Sequence, residues 1–320
     1  MFARKYLLMK KIGLVILILV VLSLSIVAGV IFFRPNLIVS KEQAKQDFAQ
    51  SASHFISWRG AEIHYTDEGS GFPVLLIHGF GGSFRNFQKL NDSLKNEYRV
   101  IRVDLPGFGL SDQTTVDSKT DFVELYHDFM TFFVDTLHLD SMYVVGNSMG
   151  GMMAWNMAAH DTVRVKKIVL LNAAGYELDK ISKKAAGAMK KGGLEFLFKR
   201  GMPLAMSESG AEKCYADHSK IDYEEVKVNN EMWNRAGNIK AAFAMASSGQ
   251  FPDSTLITKI VCPTLIVWGR EDEIIPSEHT SKFKRDIKNS QAIVYNNCGH
   301  VPMIETPERL VPDVRKFFLE

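Results

Sequence analysis

Cysteine and net charge are both scarce in this sequence. Its 320 residues include three cysteines, an odd number too small for a disulfide framework, so its stability must come from apolar burial. Lysine and arginine total 38 against 36 aspartates and glutamates, and a net charge of +2 gives no general basic field for nucleic acid. With no internal repeat and 46% apolar residues, the composition is that of a globular protein with a sizeable core.

A long apolar run lies near the N-terminus. Residues 12–33 carry no charge over 22 positions, and as a helix they would reach roughly 33 Å, enough to cross a bilayer. The run is longer than the apolar part of a cleaved signal peptide, so we predict a retained single-pass anchor after a basic segment at 1–11. The basic bias predicts a cytoplasmic N-terminus, with the body outside a bacterial inner membrane. A cleaved signal peptide and a buried core helix are the alternatives.

The rest of the chain divides into a stalk, a core and an insertion. Residues 34–53 are polar and predict a stalk or an amphipathic lead-in. Short apolar runs separated by helical stretches predict an α/β core at 54–175 and 252–320, with a doubly wound, mostly parallel sheet. The interval 176–251 shows no strand pattern and predicts a helical cap over the carboxyl edge of the sheet. The predicted strands are 54–58, 61–66, 73–77, 100–103, 142–145, 167–171, 264–268 and 292–295.

Ser148 is the candidate nucleophile. It lies in the segment Gly-Asn-Ser-Met-Gly-Gly at 146–151, between a predicted strand and a helix-like stretch. The pattern G-x-S-x-G is weak alone, but a strand-to-helix turn with flanking glycines can hold a serine in a strained conformation beside helix amides.

A serine nucleophile needs a base and an acid that orients the base. Among nine histidines, His300 follows the last predicted strand and is the expected base. Asp272 follows the preceding strand and is ranked above Glu271 and Glu273 as the acid. Asn172 ends another strand but carries no charge. The order serine, acid, histidine is that of one triad lineage.

Glycines after the first parallel strand predict an oxyanion hole. The segment at 78–82 reads His-Gly-Phe-Gly-Gly, and we assign the backbone amides of Phe80 and Met149 to this role. A tight turn is the plain alternative. A dinucleotide site with Asp104 as its ribose-binding acid is disfavoured, because Phe84 occupies the position of the third glycine.

Five motifs together resemble the α/β-hydrolase superfamily. They are GFGG at 79–82, DLPGFG at 104–109, GNSMGG at 146–151, WGRED at 268–272 and GHVPMIE at 299–305. The resemblance covers about residues 55–320 and is strongest to bacterial lipases and esterases, with membrane-anchored monoacylglycerol lipases similar in layout. It implies hydrolysis of carboxylic esters, from small-molecule or lipid substrates, without a cofactor.

Related branches of the superfamily differ at single residues. Haloalkane dehalogenases and epoxide hydrolases use an aspartate where this chain has Ser148. Carbon–carbon hydrolases of aromatic catabolism share the GNSMGG turn but commonly place a tryptophan after the catalytic histidine, where this chain has Val301. They remain the alternative function. A hydrolase-fold binding protein without turnover is disfavoured, because all three triad positions hold competent residues.

Two further patterns concern partners. Cys298 and His300 could form half a metal site, but no second pair has ligand spacing, so no metal is expected. The predicted cap carries a basic cluster against the single acid Glu195, and it indicates either a contact with anionic membrane lipid or a solvated cap face. The cluster comprises Lys180, Lys183, Lys184, Lys190, Lys191, Lys199 and Arg200.

Overall fold

The apolar runs form the strands of one mixed sheet in the computed structural model, which describes residues 11–23, 25, 29, 35–116, 120–177, 195–250 and 252–320. The strands are β1 (Ser53–Trp58), β2 (Ala61–Glu68), β3 (Pro73–Ile77), β4 (Arg99–Val103), β5 (Met142–Asn147), β6 (Val165–Leu171), β7 (Thr264–Gly269) and β8 (Ser290–Tyr295). The ends of each observed strand lie within three residues of the predicted ends. Valine, isoleucine and leucine fill these runs because strands covered by helices on both faces are buried on both sides.

The strand order is β1-β2-β4-β3-β5-β6-β7-β8. The pairs β1–β2 and β2–β4 are antiparallel, whereas β3 to β8 pair in parallel. From β3 the chain adds β4 on one side of the sheet, and it then adds β5 to β8 in order on the other side. This change of direction places a crevice at the carboxyl ends of β3 and β5, where open α/β sheets bind their ligands.

Helices cover both faces of the sheet. They are α1 (Lys41–Phe48), α2 (Gln88–Leu94), α3 (Phe122–Thr136), α4 (Met149–His160), α5 (Leu204–Glu212), α6 (Tyr223–Trp233), α7 (Asn238–Ser248), α8 (His279–Asp286), α9 (Pro302–Glu305) and α10 (Pro307–Leu319). Helix α3 begins after Asp121, whose side chain accepts hydrogen bonds from the amides of Val123 and Glu124.

Two apolar clusters, one on each face, form the core. Leu75 and Ile77 of β3 point into the cluster that contains α3, α4 and α8. Val74 and Leu76, the alternate residues of the same strand, point into the cluster that contains α2 and α10. The alternation follows from the two-residue period of a strand. The core therefore fixes each strand in register and sets where its carboxyl end falls.

The polar segment at 34–53 contains α1, which packs against the body. Ala44 and Phe48 lie four residues apart on one helix face and are buried with Phe84, Leu110 and Met232. Ser40 caps the helix by accepting a hydrogen bond from the Gln43 amide at 3.1 Å.

The described part of the interval 176–251 is helical. It contains α5, α6, α7 and the short 3₁₀ segments Glu195–Phe198 and His218–Lys220. Residues 178–194 lie outside the described part of the chain, and with them five members of the predicted basic cluster: Lys180, Lys183, Lys184, Lys190 and Lys191.

The predicted membrane anchor at residues 12–33 is not found. The described part of this segment is helical at 11–23, 25 and 29, and its other residues lie outside the described ones. Within the described residues, no helix is both long and apolar enough to cross a membrane. That finding contradicts the single-pass anchor, the attachment to membrane lipid through it and the external localisation that the sequence predicted.

A buried carboxylate ties the antiparallel strands to the crevice. Asp104, fully buried after β4, accepts hydrogen bonds from His64 Nδ1 at 2.7 Å, the Phe84 amide at 2.6 Å and the Leu110 amide at 2.9 Å. Burial raises the pKa of Asp104, but the hydrogen bond and charge of His64, together with the hydrogen bond from the Leu110 amide, lower it, and the net pKa lies below its usual range. The carboxylate is therefore held charged in the core.

Removing this charge should destabilise the fold. We expect Asp104→Asn to lower the free energy of unfolding at pH 7 by about 3–5 kcal/mol, because it breaks a buried pair and leaves donors unsatisfied. Since the folded pKa of Asp104 is depressed, its contribution is full above the unfolded pKa of about 3.9 and is lost as pH falls through the folded pKa. The difference between the two proteins should therefore shrink below pH 4 in urea titrations.

Asp128→Asn is the matched control for this prediction. Asp128 pairs with Arg59 at 2.7 Å, but the two side chains are 42% and 51% exposed. Such a surface pair is worth about 0–1 kcal/mol. Equal losses in the two variants would contradict the role given to Asp104.

Candidate active site

The turn between β5 and α4 holds Ser148 in a strained backbone conformation. Its φ of 55° and ψ of −116° lie where non-glycine residues are rare. The flanking glycines allow the close approach that this turn needs. A Cβ on Gly146 would lie 2.2 Å from the Gly150 carbonyl oxygen, and one on Gly150 would lie 2.0 Å from the Ile77 carbonyl oxygen. Ser148 is thereby placed at the carboxyl end of the sheet, as predicted.

His300 and Asp272 meet directly. His300 Nδ1 lies 2.8 Å from Asp272 Oδ2, and both residues are buried. The other carboxylate oxygen, Oδ1, accepts from the amides of Ile274 and Ile275 at 2.8 and 3.0 Å. These amides hold the carboxylate in one orientation, so the imidazole is fixed with Nδ1 toward the acid and Nε2 away from it.

Asn172 is a site residue that the sequence did not reveal. It follows β6 with a φ of 47°, and its Nδ2 donates to Asp272 Oδ2 at 2.7 Å and to the Gly299 carbonyl at 3.2 Å. Among the described residues, its buried Oδ1 has no hydrogen-bond partner. The position of Asn172 after a strand suggests only the role of an acid, for which its side chain lacks the charge. The amide instead binds the acid and the loop that precedes His300.

Asn147 links the turn of Ser148 to the loop of His300. Its Nδ2 donates to the His300 carbonyl at 3.0 Å and to the Leu171 carbonyl at 3.1 Å. Within the described residues, the hydrogen bonds of the site do not include one between Ser148 Oγ and His300. Catalytic hydrogen bonds are often long until substrate binds.

Glu305 joins the His300 loop to the helical interval. Its buried carboxylate accepts from the Gly299 amide at 2.6 Å through Oε2, and from the amides of Ala216 and the next residue at 2.9 and 2.8 Å through Oε1. The His300 amide in turn donates to the Cys214 carbonyl at 2.7 Å. Glu305 ends the motif GHVPMIE at 299–305, and nothing else in the sequence indicated that its side chain binds these loops.

The two amides assigned to the oxyanion hole belong to residues near Ser148. Met149 is the first residue of α4, so its amide has no acceptor within the helix. Phe80 follows Gly79, where an added Cβ would lie 3.0 Å from the Ser148 Cβ. Within the described residues, neither amide donates to another backbone group. The oxyanion role of these two amides stays a prediction.

His78 fixes the loop that carries Phe80. Its Nδ1 lies 2.7 Å from the Gly79 carbonyl, which can only accept, and its Nε2 accepts from the Leu105 amide at 3.1 Å. Burial lowers the pKa of His78, so the ring is neutral as this pattern requires. The neutral ring clamps the loop after β3 to the loop after β4.

An aromatic group from α6 covers the Phe80 loop. Trp233 Nε1 donates to the Gly81 carbonyl at 2.8 Å, and the Phe80 ring lies 5.7 Å from the Trp233 ring and 5.5 Å from that of Phe108. The Phe80 side chain is nevertheless 42% exposed. The described helical interval therefore contacts the predicted oxyanion loop directly.

The other residues considered for the acid and for a dinucleotide site do not fit those roles. Glu271 accepts from the Cys298 amide at 3.0 Å, and Glu273 is exposed. The alternative dinucleotide site needs Asp104 to bind a ribose, but the Asp104 carboxylate is fully buried among its donors and a ribose cannot reach it. Phe84, at the position of the third glycine, is also buried.

The three cysteines are free thiols. Burial raises the pKa of Cys214 and of Cys262 to about 11 and that of Cys298 to about 12, so all are protonated at neutral pH and are poor nucleophiles. In the part of the chain that the structure describes, no group of three or more His, Cys, Asp or Glu side chains could hold a metal ion.

Comparison with known proteins gives relatives of two kinds. Lipase 3 of Moraxella sp. (strain TA144) is 29% identical over 292 residues, which cover 88% of each chain. The 2-hydroxy-6-oxo-6-(2'-aminophenyl)hexa-2,4-dienoic acid hydrolase of Metapseudomonas resinovorans is 28% identical over 278 residues, covering 84% of this chain and 92% of its own. Among solved structures, a thermophilic esterase from Thermogutta terrifontis aligns with a TM-score of 0.69 and 27% identity, over 84% of this chain and 98% of its own.

The family model agrees with these matches. Residues 73–201 and 206–307 match the alpha/beta hydrolase fold, well over half of the chain. The superfamily resemblance drawn from the five motifs is confirmed, and so is the mostly parallel sheet. The chain belongs to the alpha/beta hydrolase fold family.

Proposed function

We propose that this protein is a serine hydrolase that cleaves carboxylic esters through an acyl-enzyme on Ser148. The observation that carries the proposal is the buried pair of His300 Nδ1 and Asp272 Oδ2 at 2.8 Å, at the sheet edge where Ser148 is strained. Residues 54–175 and 252–320 form the core in this proposal, and 176–251 form the cap.

The reaction transfers the acyl group twice, first from the ester to Ser148 and then from Ser148 to water, and the same three residues serve both steps. Ser148 Oγ attacks the ester carbonyl while its proton moves to His300 Nε2, and Asp272 stabilises the imidazolium that forms. The amides of Phe80 and Met149 stabilise the oxyanion. The tetrahedral intermediate then collapses, the alcohol leaves with the proton from His300, and water repeats the sequence to release the acid. No cofactor takes part in these steps.

A carbon–carbon hydrolase is the second candidate, supported by the dienoic acid hydrolase among the relatives. The ester assignment is favoured by Val301, which stands where those enzymes commonly place a tryptophan, and by the lipase and esterase relatives. We expect p-nitrophenyl esters to be hydrolysed with a far higher kcat/KM than 2-hydroxy-6-oxo-6-phenylhexa-2,4-dienoate, both followed by absorbance. A reversed preference would favour the second candidate.

The role of Ser148 can be tested by labelling. A fluorophosphonate should modify Ser148 alone, as measured by peptide mass spectrometry, and Ser148→Ala should lower kcat by roughly four to six powers of ten. Ser70→Ala, at an exposed turn, is the matched control and should keep both labelling and turnover. Labelling at another residue, or an active Ser148→Ala protein, would refute the assignment.

The choice of acid is tested by isosteric amides. Asp272→Asn should lower kcat by about 10⁴-fold, because an amide cannot stabilise the imidazolium and favours the wrong tautomer of His300. Glu273→Gln, one position away and exposed, should change kcat less than twofold. Glu271→Gln keeps an oxygen for the Cys298 amide and should also remain active. A large loss at either glutamate, with activity retained in Asp272→Asn, would reassign the acid.

A further inference from the structure

The Glu305 carboxylate is shared between two separate segments of the chain. Its Oε2 accepts from the amide of Gly299, the residue before the proposed base, at 2.6 Å. Its Oε1 accepts from the amides of Ala216 and Asp217, in the described helical interval, at 2.9 and 2.8 Å. The residue is 2% exposed, so solvent water has little access to its oxygens. Because a donor that loses a buried acceptor is costly, both segments depend on one side chain.

The helical interval also contacts the backbone of the His300 loop directly. The His300 amide donates to the Cys214 carbonyl at 2.7 Å. A Cβ added at Gly299 would lie 2.4 Å from that carbonyl oxygen and 2.9 Å from the Ala216 nitrogen. Segments this close cannot move independently, because close-packed interiors transmit displacement. The position of the His300 backbone is therefore set by residues 214–217 as well as by the sheet.

The backbone of Gly299 is held at both of its polar groups. Its amide donates to Glu305, and its carbonyl accepts from Asn172 Nδ2 at 3.2 Å. The same Asn172 nitrogen donates to Asp272 Oδ2 at 2.7 Å. Gly299 is therefore fixed between the helical interval and the proposed acid. Since His300 follows it directly in the chain, a displacement of Gly299 would carry the imidazole away from Asp272.

A single helical turn brings Glu305 back to this loop. Helix α9 begins with Pro302, directly after Val301. The Glu305 amide donates to the Val301 carbonyl at 2.9 Å. Lys220 of the helical interval donates through Nζ to the Glu305 carbonyl at 3.2 Å. The backbone of Glu305 is thus tied to the same two segments as its carboxylate.

We propose that Glu305 is a positioning residue for His300, which it holds by coupling the backbone of 214–217 to the loop before the histidine. The inference rests on the proposed function, because the position of His300 matters to turnover only if it takes the proton of Ser148. The contacts at 214–217 are made by backbone atoms, so the side chains there can change without loss of the coupling. The helical interval is then required for the chemical step and does not only cover the site.

Glu305→Gln tests the proposal kinetically. Glutamine keeps the size of the side chain but only one acceptor oxygen, and its NH₂ group faces the amides of one of the two segments, so one contact breaks. We expect kcat for p-nitrophenyl acetate to fall about 10- to 100-fold while KM changes less than twofold, because a displaced base weakens the transition state more than binding. Glu271→Gln is the matched control. One Glu271 oxygen accepts from the Cys298 amide of the same loop, glutamine retains that oxygen, and kcat should stay within twofold.

The imidazole can be followed directly by proton NMR. The proton between His300 Nδ1 and Asp272 should give a low-field signal, which is assigned by its absence in Asp272→Asn. In Glu305→Gln this signal should shift or broaden, because the ring moves relative to the acid. His64 Nδ1 and Asp104 Oδ2, buried and 2.7 Å apart, form a second pair of the same kind. Its signal is the internal reference and should stay in place.

The coupling can also be measured without a substitution. A fluorophosphonate bound to Ser148 contacts the His300 side of the coupled pair, so it should slow hydrogen exchange at the amides of Gly299, Ala216 and Asp217. Exchange in helix α3, on another part of the sheet, should not change. This measurement decides the proposal if the Glu305→Gln protein does not fold.

The measurements separate failure of the inference from failure of the proposed function. In Glu305→Gln, an unchanged kcat, or a lower kcat with the His300 signal unmoved, would overturn the positioning role. Slower exchange at Gly299 without any change at Ala216 and Asp217 would overturn the coupling. If the unchanged protein neither hydrolyses esters nor reacts with the fluorophosphonate, the proposed function fails. The His300 signal in Glu305→Gln then decides alone whether Glu305 orients the imidazole.

Discussion

Close packing of backbone against backbone at the Ser148 turn is the constraint on which the rest of the site depends. The turn packs tightly between the end of β3 and the start of α4. A Cβ added at Gly146 or Gly150 would lie about 2 Å from a backbone carbonyl oxygen. Only glycine fits there, and only the change of winding between β3 and β5 brings the two strand ends side by side. Ser148 can therefore keep its strained backbone without being relaxed by movement of its neighbours.

Buried carboxylates hold the loops around this turn. Asp104, Asp272 and Glu305 each accept hydrogen bonds from backbone amides of loops, and Asp104 also accepts one from the start of the 3₁₀ helix Phe84–Phe87. A charged oxygen binds such amides more strongly than a neutral acceptor would, and it fixes loop geometry at the same time. The sheet supplies the positions of the loops, and these three side chains supply their conformations. This arrangement explains how a site built on five separate loops stays ordered.

The strands and most of the site could be predicted because their signals are local. Continuous apolar runs mark buried parallel strands, and the residues after β5, β7 and β8 follow from where those runs end. Asn172 could not be found in this way, since its role depends on a φ of 47° and on the direction of one amide toward Asp272. The anchor at residues 12–33 was predicted from the length of an apolar run and from its basic flanks, and no helix among the described residues is long and apolar enough to confirm it.

The proposed catalysis and the binding of the substrate depend on different parts of the structure. Ser148, Asp272 and His300 are held by short hydrogen bonds and by glycine contacts that tolerate little change, as proton transfer requires. The described helical interval reaches this site through Trp233 and through the backbone of Cys214 and Ala216, and its helices are not part of the sheet. Substrate choice can therefore change while the catalytic geometry stays the same. The separation accounts in physical terms for relatives that act on lipids and relatives that act on dienoic acids within one family.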